Sequence, residues 1–350
     1  MTFLRPVPLA RRPRVSVVVP CYNYGRYLPE LITGLKAQPG VDLDVLIVDD
    51  ASPDGSGDVA AALAHGDPRV RVLRHPVNRG HIQTYNDGLA AVDGEYVVLL
   101  SADDLLPPGA LARAVALMEA QPTVGLVYGY ARSFSAEPPQ TSTAVRNWSR
   151  WRGSSWLGWS IRTARCFISS PEVVMRRAAL EQVGYYDPRL PHSGDLDLWL
   201  RTALRWDIGR VNGPAQALYR VHDANMHLTT YAGMITDLRE RRRTFGLLFD
   251  EHAIDRPDVV AQRPVALRAL ARESLRLALR AHRDHADRSM IEEHLEFAVQ
   301  TFPKIRTDLL WRLCQVGPLS RRSLPAAPVR RFASRVSHHL WWRRERRYGI

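Results

Sequence analysis

Cysteine is scarce: Cys21, Cys166 and Cys314 are the three in 350 residues, far apart and without paired spacing. That leaves no disulfide framework and no cysteine-built zinc site, and it fits a reducing compartment. No stretch of about 18 apolar residues occurs, so no membrane span is expected. The opening residues, MTFLRPVPLARRPR, are basic but lack the continuous apolar run of a secretory leader. No Gly-x-Gly-x-x-Gly follows the first predicted strand, which disfavours a nicotinamide or flavin Rossmann domain. No Walker A sequence is present, which excludes a P-loop ATPase.

A chain of this length suits one large domain or two modest ones with a substantial core. Its hydrophobic content of 45% and charged content of 24% are those of a globular protein. The formal net charge of +12 is uneven: between Val329 and Ile350 seven arginines stand against one acid, Glu345. A nucleic acid, an acidic lipid surface or a polyanionic substrate would each match such a segment, and composition does not choose among them.

From Arg14 to Tyr130, short β-branched runs alternate with helix-like segments. The runs are Val15–Val19, Val45–Val48, Val70–Leu73, Tyr96–Leu100 and Val124–Tyr128. Between them the pattern predicts helices over Tyr27–Ala37, Asp58–His65, His81–Val92 and Pro108–Ala120, the last opened by Pro107-Pro108. Near-continuous apolar strands separated by helices predict an α/β fold with an open, mostly parallel sheet covered on both faces. Ligands of such sheets bind beyond the carboxyl ends of the strands. There this chain places Pro20-Cys21-Tyr22-Asn23, then Asp49-Asp50, then His75-Pro76-Val77-Asn78-Arg79-Gly80, then Ser101-Ala102-Asp103-Asp104. That recurrence of polar and acidic residues marks the edge as the candidate site.

Adjacent carboxylates at Asp103 and Asp104 repel each other and raise at least one pKa unless a cation neutralises them. Hard oxygen ligands suit Mg²⁺ or Mn²⁺ bridging a few protein groups to substrate phosphates. The plainer alternative is a helix N-terminus, where Asp is a common cap. Asp49-Asp50 is open to a similar reading as a capped turn, and Asp54-Gly55 is a turn dipeptide in any protein. An Asp at a strand end is equally placed to accept from a base N–H or a ribose hydroxyl.

The ordered set VSVVVPCYNYGRYL, VLIVDDASPDGS, NRGHIQTYNDGL and GEYVVLLSADDLLPPGAL resembles the nucleotide-binding half of family 2 glycosyltransferases of the GT-A fold, over about residues 14–130. The resemblance implies that Pro20, Tyr22, Asp49 and Asp50 contact the base (uracil by default) and ribose. It places Asn78 and Arg79 near the diphosphate, and Asp103 and Asp104 at ribose, metal and diphosphate. The family's Asp-Ala-Asp-Asp stands here as Ser101-Ala102-Asp103-Asp104, leaving the final pair for the metal. Further on, His192-Ser193-Gly194-Asp195-Leu196-Asp197 resembles the family's Glu-Asp signature, whose Asp is the general base of inverting enzymes. By position that is Asp195, with Gly194 in place of the Glu and Asp197 as the fallback; Ser193 and Asp195 also read as a cap and first turn of a helix from about Leu196. Tyr219-Arg220-Val221-His222-Asp223-Ala224-Asn225 resembles the closing segment, whose His reaches the metal or diphosphate. A lone His is otherwise commonly structural.

One base suffices for direct displacement by an acceptor hydroxyl, with inversion. Retention would call for a second, nucleophilic carboxylate, for which no better candidate stands out. The Gln-x-x-Arg-Trp of processive synthases is missing; Arg205-Trp206 lacks the Gln, so addition of a single sugar is expected. Ser133–Ser142 reads as a loop. Trp148, Trp151, Trp156 and Trp159 read as an amphipathic helix on the sheet, with a sugar-stacking acceptor surface as the alternative.

From Met226 the chain reads as helices, with Val265–His282 and Met290–Val299 the clearest. Val329, Phe332, Ala333, Val336 and Leu340 recur at helical spacing. This suggests either a packed C-terminal helix or one lying on an anionic membrane, with Trp341-Trp342 beside Arg343-Arg344 at the headgroups. The expected domains are a basic tail 1–13, a catalytic domain 14–225 divided at 130/131, and a basic helical region 226–350. The expected partners are a nucleotide-sugar donor, a carbohydrate or lipid-linked acceptor and an anionic membrane surface; no nucleic-acid fold motif is found. The expected location is cytoplasmic, with peripheral attachment at the inner face of the cell membrane. Two other readings compete: a sugar nucleotidyltransferase, which lacks its glycine- and arginine-rich loop here, and a non-catalytic nucleotide-sugar-binding protein, favoured by Ser101 and Gly194.

Overall fold

A computed structural model describes residues 1–223, 225, 233–284 and 286–316. In chain order the first part holds β1 (Thr2–Leu4), β2 (Arg14–Cys21), α1 (Leu28–Lys36), β3 (Asp42–Asp49), α2 (Ser56–His65), β4 (Val70–Arg74), α3 (His81–Ala90), β5 (Tyr96–Leu99), α4 (Ala110–Ala120) and β6 (Val124–Tyr128). Then come β7 (Ala131–Phe134), β8 (Asn147–Trp151), α5 (Gly153–Thr163), β9 (Val174–Arg176), α6 (Arg177–Val183), α7 (Gly194–Arg205), β10 (Asp207–Asn212) and β11 (Ala217–Arg220). All five strands and four helices expected before Tyr130 are present, most bounds lying within two residues.

Nine strands form one sheet in the order β1-β8-β10-β6-β9-β5-β2-β3-β4. β4, β3, β2 and β5 are all parallel. Val15, Val17, Val18 and Val19 of β2 are fully buried, as both-face coverage requires. β9 then runs antiparallel to both β5 and β6, and β8 antiparallel to β10, so the sheet is mixed beyond the alternating segment. The chain runs from β2 outward through β3 and β4, then returns to place β5 on the other side of β2. That reversal is a topological switch point, where the strands' carboxyl ends leave a crevice for ligand.

Several expectations are corrected. Within the basic tail 1–13, β1 pairs with β8 at the sheet edge, and Arg11 bridges Glu95 at 2.6 Å and Glu119 at 2.8 Å, contacts that the sequence did not predict. A three-residue edge strand carries too little alternation to read from sequence. Trp148 and Trp151 lie on β8 rather than a helix, because the sheet supplies backbone partners that outweigh an ambiguous i, i+3 spacing. Both are buried, as is Trp156 on α5, so these three rings serve the core. Helix α4 begins at Ala110, after a turn in which Gly109 takes a left-handed φ of 75°. Part of the expected 133–142 loop is β7, which pairs with β11 in a separate two-stranded sheet.

The chain divides into two compact units, one of residues 1–157 and 167–225, the other of 158–166 with the described residues from 233 onward. The second is helical, with α8 (Met234–Leu247), a π turn over Leu248–His252, α9 (Pro257–Val260), α10 (Arg263–Arg283), α11 (Arg288–Thr301) and α12 (Leu309–Val316). Ala271, Leu275, Ala298 and Ile305 form a buried cluster there. Among the described residues no helix is long and apolar enough to cross a membrane. The expected basic helix around 329–340 and the Trp341-Trp342 pair lie outside the described residues.

Candidate active site

The carboxyl end of β5 runs straight into Ser101-Ala102-Asp103-Asp104, and β11 is brought alongside by a short ladder. Leu105 N–H donates to Leu218 O at 3.0 Å, and Leu218 N–H to Leu105 O at 2.8 Å. This registers Arg220 and His222 against the acidic pair. The Arg220 backbone N–H donates to Asp104 Oδ1 at 2.9 Å, its Nε donates to the Asp103 carbonyl at 2.9 Å, and its guanidinium reaches Glu30. His222 Nε2 lies 2.9 Å from Asp103 Oδ2, and the Asn225 amide donates to the same oxygen at 3.4 Å. The His222 ring stacks on Tyr27 at 5.6 Å and meets Tyr24 edge-on at 5.5 Å. Asp103, Asp104 and His222 thus form one cluster.

Burial and the neighbouring Asp103 push the Asp104 carboxyl well above its usual range, outweighing the Arg220 N–H and guanidinium. Burial and the Asp103 charge likewise push the Tyr24 phenol up to about 12. The cluster is therefore short of positive charge. His222 Nδ1 is buried with no hydrogen-bond partner in the structure. Carboxylate oxygens and the His222 imidazole, whose Nδ1 is unsatisfied, make a donor set that fits Mg²⁺ or Mn²⁺. Among the described residues no group of three or more His, Cys, Asp or Glu is arranged to hold an ion by itself, so ligand oxygens would have to complete the shell.

At the end of β3 the expected contacts are buried. Asp50 is 3% exposed, and its carboxylate accepts from His75 Nδ1 at 2.8 Å, Arg79 N–H at 2.8 Å and Gly80 N–H at 3.0 Å. Burial raises its pKa, but the hydrogen bonds outweigh that and hold it below the usual carboxylate range. Through these bonds Asp50 ties down the 75–80 loop. That loop carries Asn78, which accepts from Gly80 N–H at 3.1 Å, and Arg79, whose guanidinium donates to Asp87 at 2.6 Å. Both are exposed. Asp49 is also buried, with Arg74 Nε 3.8 Å away. Of the β2-end residues, Tyr22 is exposed and Pro20 half-buried, both beside the switch point.

Asp195 sits in the first turn of α7 and is half-buried. Ser193 precedes the helix but makes no side-chain cap bond. Asp195 Oδ1 accepts from the Tyr186 hydroxyl at 2.8 Å, and Oδ2 from the Ser170 hydroxyl. Ser170 belongs to the one-turn helix Ser170–Glu172, just before β9. Since β9 is antiparallel to β5, its start lies beyond the carboxyl end of β5, the edge that carries Asp103. The fallback, Asp197, is fully buried and paired with Arg201 at 2.7 Å, which makes it a structural ion pair. Sequence reasoning did not single out Arg220, Asn225, Tyr24, Tyr27, His75, Ser170 or Tyr186. Arg220, Asn225, Tyr24, Tyr27 and His75 stood inside quoted segments without being assigned a role; Ser170 and Tyr186 become visible only through their contacts with Asp195.

Residues 16–184 match the model of the Glycosyl transferase family 2 family. This chain is a glycosyltransferase similar to family 2 over just under half of its length. It is 29% identical over 246 residues to the uncharacterized glycosyltransferase alr2836 of Nostoc sp., covering 67% of this chain and 72% of that protein. Other relatives match over shorter stretches, the chain spanning 40% of the next one's length. Among solved structures, Staphylococcus aureus TarS 1–349 in complex with UDP-GlcNAc superposes with a TM-score of 0.57 at 16% identity, over 84% of this chain and 91% of that one. The Pyrobaculum calidifontis mannosyltransferase PcManGT in complex with GDP-Man and Mn²⁺ gives 0.52 at 21% identity, over 85% and 89%. Those likenesses establish the GT-A fold of this glycosyltransferase.

Proposed function

We propose that this glycosyltransferase transfers a single sugar from a nucleotide-sugar, UDP-linked by default, to an acceptor hydroxyl with inversion. What carries the reading is the Asp103–Asp104–His222 cluster at the switch-point edge, with Asp195 on the same edge and, among the described residues, without an ion-pair partner comparable to that of Asp197. The nucleotide would lie across the ends of β2 and β3, between Pro20, Tyr22 and the loop bearing Asn78 and Arg79, with the diphosphate toward Asp103. Asp195 would accept the acceptor hydroxyl's proton as the oxygen attacks the anomeric carbon. Tyr24, Tyr27 and Arg220 hold His222 and Asp103 in place against reorganisation. A Mg²⁺ or Mn²⁺ at Asp103, Asp104 and His222 would stabilise charge on the leaving diphosphate. The titles of the two structural neighbours, which name UDP-GlcNAc and GDP-Man with Mn²⁺, support a nucleotide-sugar donor and a divalent metal.

A role in cell-envelope polysaccharide or glycolipid synthesis, at the inner face of the membrane, is proposed from the arginine-rich end of the sequence. Flotation with anionic vesicles tests it: truncation after Pro328 should abolish binding, and undiminished binding would end the membrane reading. The donor reading is tested by calorimetry with UDP-, dTDP- and GDP-sugars, with and without Mn²⁺. One of them should bind with metal and fail to bind after Asp104→Ala.

A further inference from the structure

The proposed base is gripped from two sides by neutral hydroxyls, and the two grips differ in kind. Tyr186 is 4% exposed and anchored along its length. Its backbone N–H donates to Asn86 Oδ1 at 2.9 Å, its carbonyl accepts from Asn86 Nδ2 at 2.9 Å, and its ring meets Tyr85 edge-on at 5.4 Å. Its hydroxyl has therefore little freedom except to point at Asp195 Oδ1. Ser170, itself half-buried at the start of a one-turn helix whose Pro171 and Glu172 are buried, instead carries its hydroxyl on a single rotatable bond. A carboxylate oxygen held by a rotatable serine can exchange that donor for another hydroxyl; one held by a buried, anchored phenol cannot do so cheaply.

We propose that Tyr186 is a positioning residue for Asp195: it fixes Oδ1 and so the carboxylate plane, leaving Oδ2, where the Ser170 hydroxyl now sits, as the atom that receives the acceptor's proton. This deepens, and rests on, the assignment of Asp195 as base. Burial and the Asp195 charge push the Tyr186 phenol well above its usual range, so it stays protonated and donates throughout the working pH range. The arrangement also accounts for Gly194. A Cβ there would stand 2.9 Å from Tyr186 Cδ1 and 3.7 Å from Ile82 Cδ1, so any side chain at 194 pushes the ring off its line to Asp195.

Three variants test this by kcat for sugar transfer, donor Kd by calorimetry, and Tm. Tyr186→Phe removes one oxygen and should lower kcat about 10-fold, the order expected for a charge-assisted hydrogen bond, while donor Kd and Tm stay at wild-type values. Gly194→Ala should reproduce that kcat loss with donor Kd unchanged, and Ser170→Ala should keep kcat within about two-fold, since its bond is replaced during turnover. In an Asp195→Asn background, Tyr186→Phe should cost nothing further, which a general structural role would not produce. If Asp195→Asn abolishes transfer but Tyr186→Phe leaves kcat intact, or if the two losses add, the positioning role is refuted and the base stands. If Asp195→Asn itself transfers at the wild-type rate, the base assignment falls and this proposal with it. If Tyr186→Phe lowers Tm markedly, Gly194→Ala and the double variant decide.

Discussion

Replacing Asp104 by Asn should stabilise the metal-free protein while abolishing its response to donor and metal. The side chain is buried next to another carboxylate, and its only direct favourable partner among the contacts described is the Arg220 N–H on Oδ1, which the Asn carbonyl oxygen retains. Its folded pKa is raised, so the folded protein holds that proton more tightly than the unfolded chain does. Stability is therefore full below about pH 4, the unfolded value, and is lost as pH rises through the folded value. Asp104→Asn removes this loss. At pH 8, in EDTA, the gain should be about 1–2 kcal/mol, taken from the cost of leaving a buried polar group poorly compensated. In a domain of this size that raises Tm by about 2–8 °C, and the advantage should shrink toward pH 5. With Mn²⁺ and donor at about 100 times Kd, the wild type should gain roughly 2.7 kcal/mol and the variant nothing. Differential scanning fluorimetry over pH 5–8.5 reads both effects. A variant less stable than wild type in EDTA at pH 8, or a pH-independent difference, would refute the account of a charge-strained acidic pair awaiting a cation.

Three other outcomes follow from the same contacts. Asp197→Ala should cost about 3–5 kcal/mol because it strips the buried Arg201 guanidinium of its carboxylate, so lost activity would come with a lowered Tm, unlike Asp195→Asn. Asp50 has a depressed folded pKa, so its contribution is present above about pH 4 and lost as pH falls through the folded value; Asp50→Asn should flatten the acid limb of stability between pH 3 and 6 in urea melts. The same variant should weaken donor binding by loosening the loop that carries Asn78 and Arg79, which calorimetry measures directly.

The parallel half of the sheet was legible because β2, β3 and β5 are buried on both faces, and such strands announce themselves as apolar runs between helices. The acidic edge was legible for the same reason, since residues after buried strands must face the switch point. β1 and β8 were not, because an antiparallel edge strand and the antiparallel strand beside it are specified by neighbours far along the chain. The site shows the same division. Asp103, Asp104, Asp195 and His222 stood out by position, whereas Asp50's carboxylate could be seen to serve the 75–80 loop only once His75, Arg79 and Gly80 were in place around it. Tyr186 and Ser170 meet Asp195 across 9 and 25 residues, and no local pattern predicts such a contact.

The most direct test of the central claim is transfer and binding by wild type and Asp195→Asn with a panel of nucleotide-sugars and Mn²⁺. The account predicts that one donor binds both proteins with equal affinity, that the wild type turns it over, and that Asp195→Asn is slower by about 10²–10⁴-fold. Failure of every nucleotide-sugar to bind, or turnover by Asp195→Asn at the wild-type rate, would contradict it.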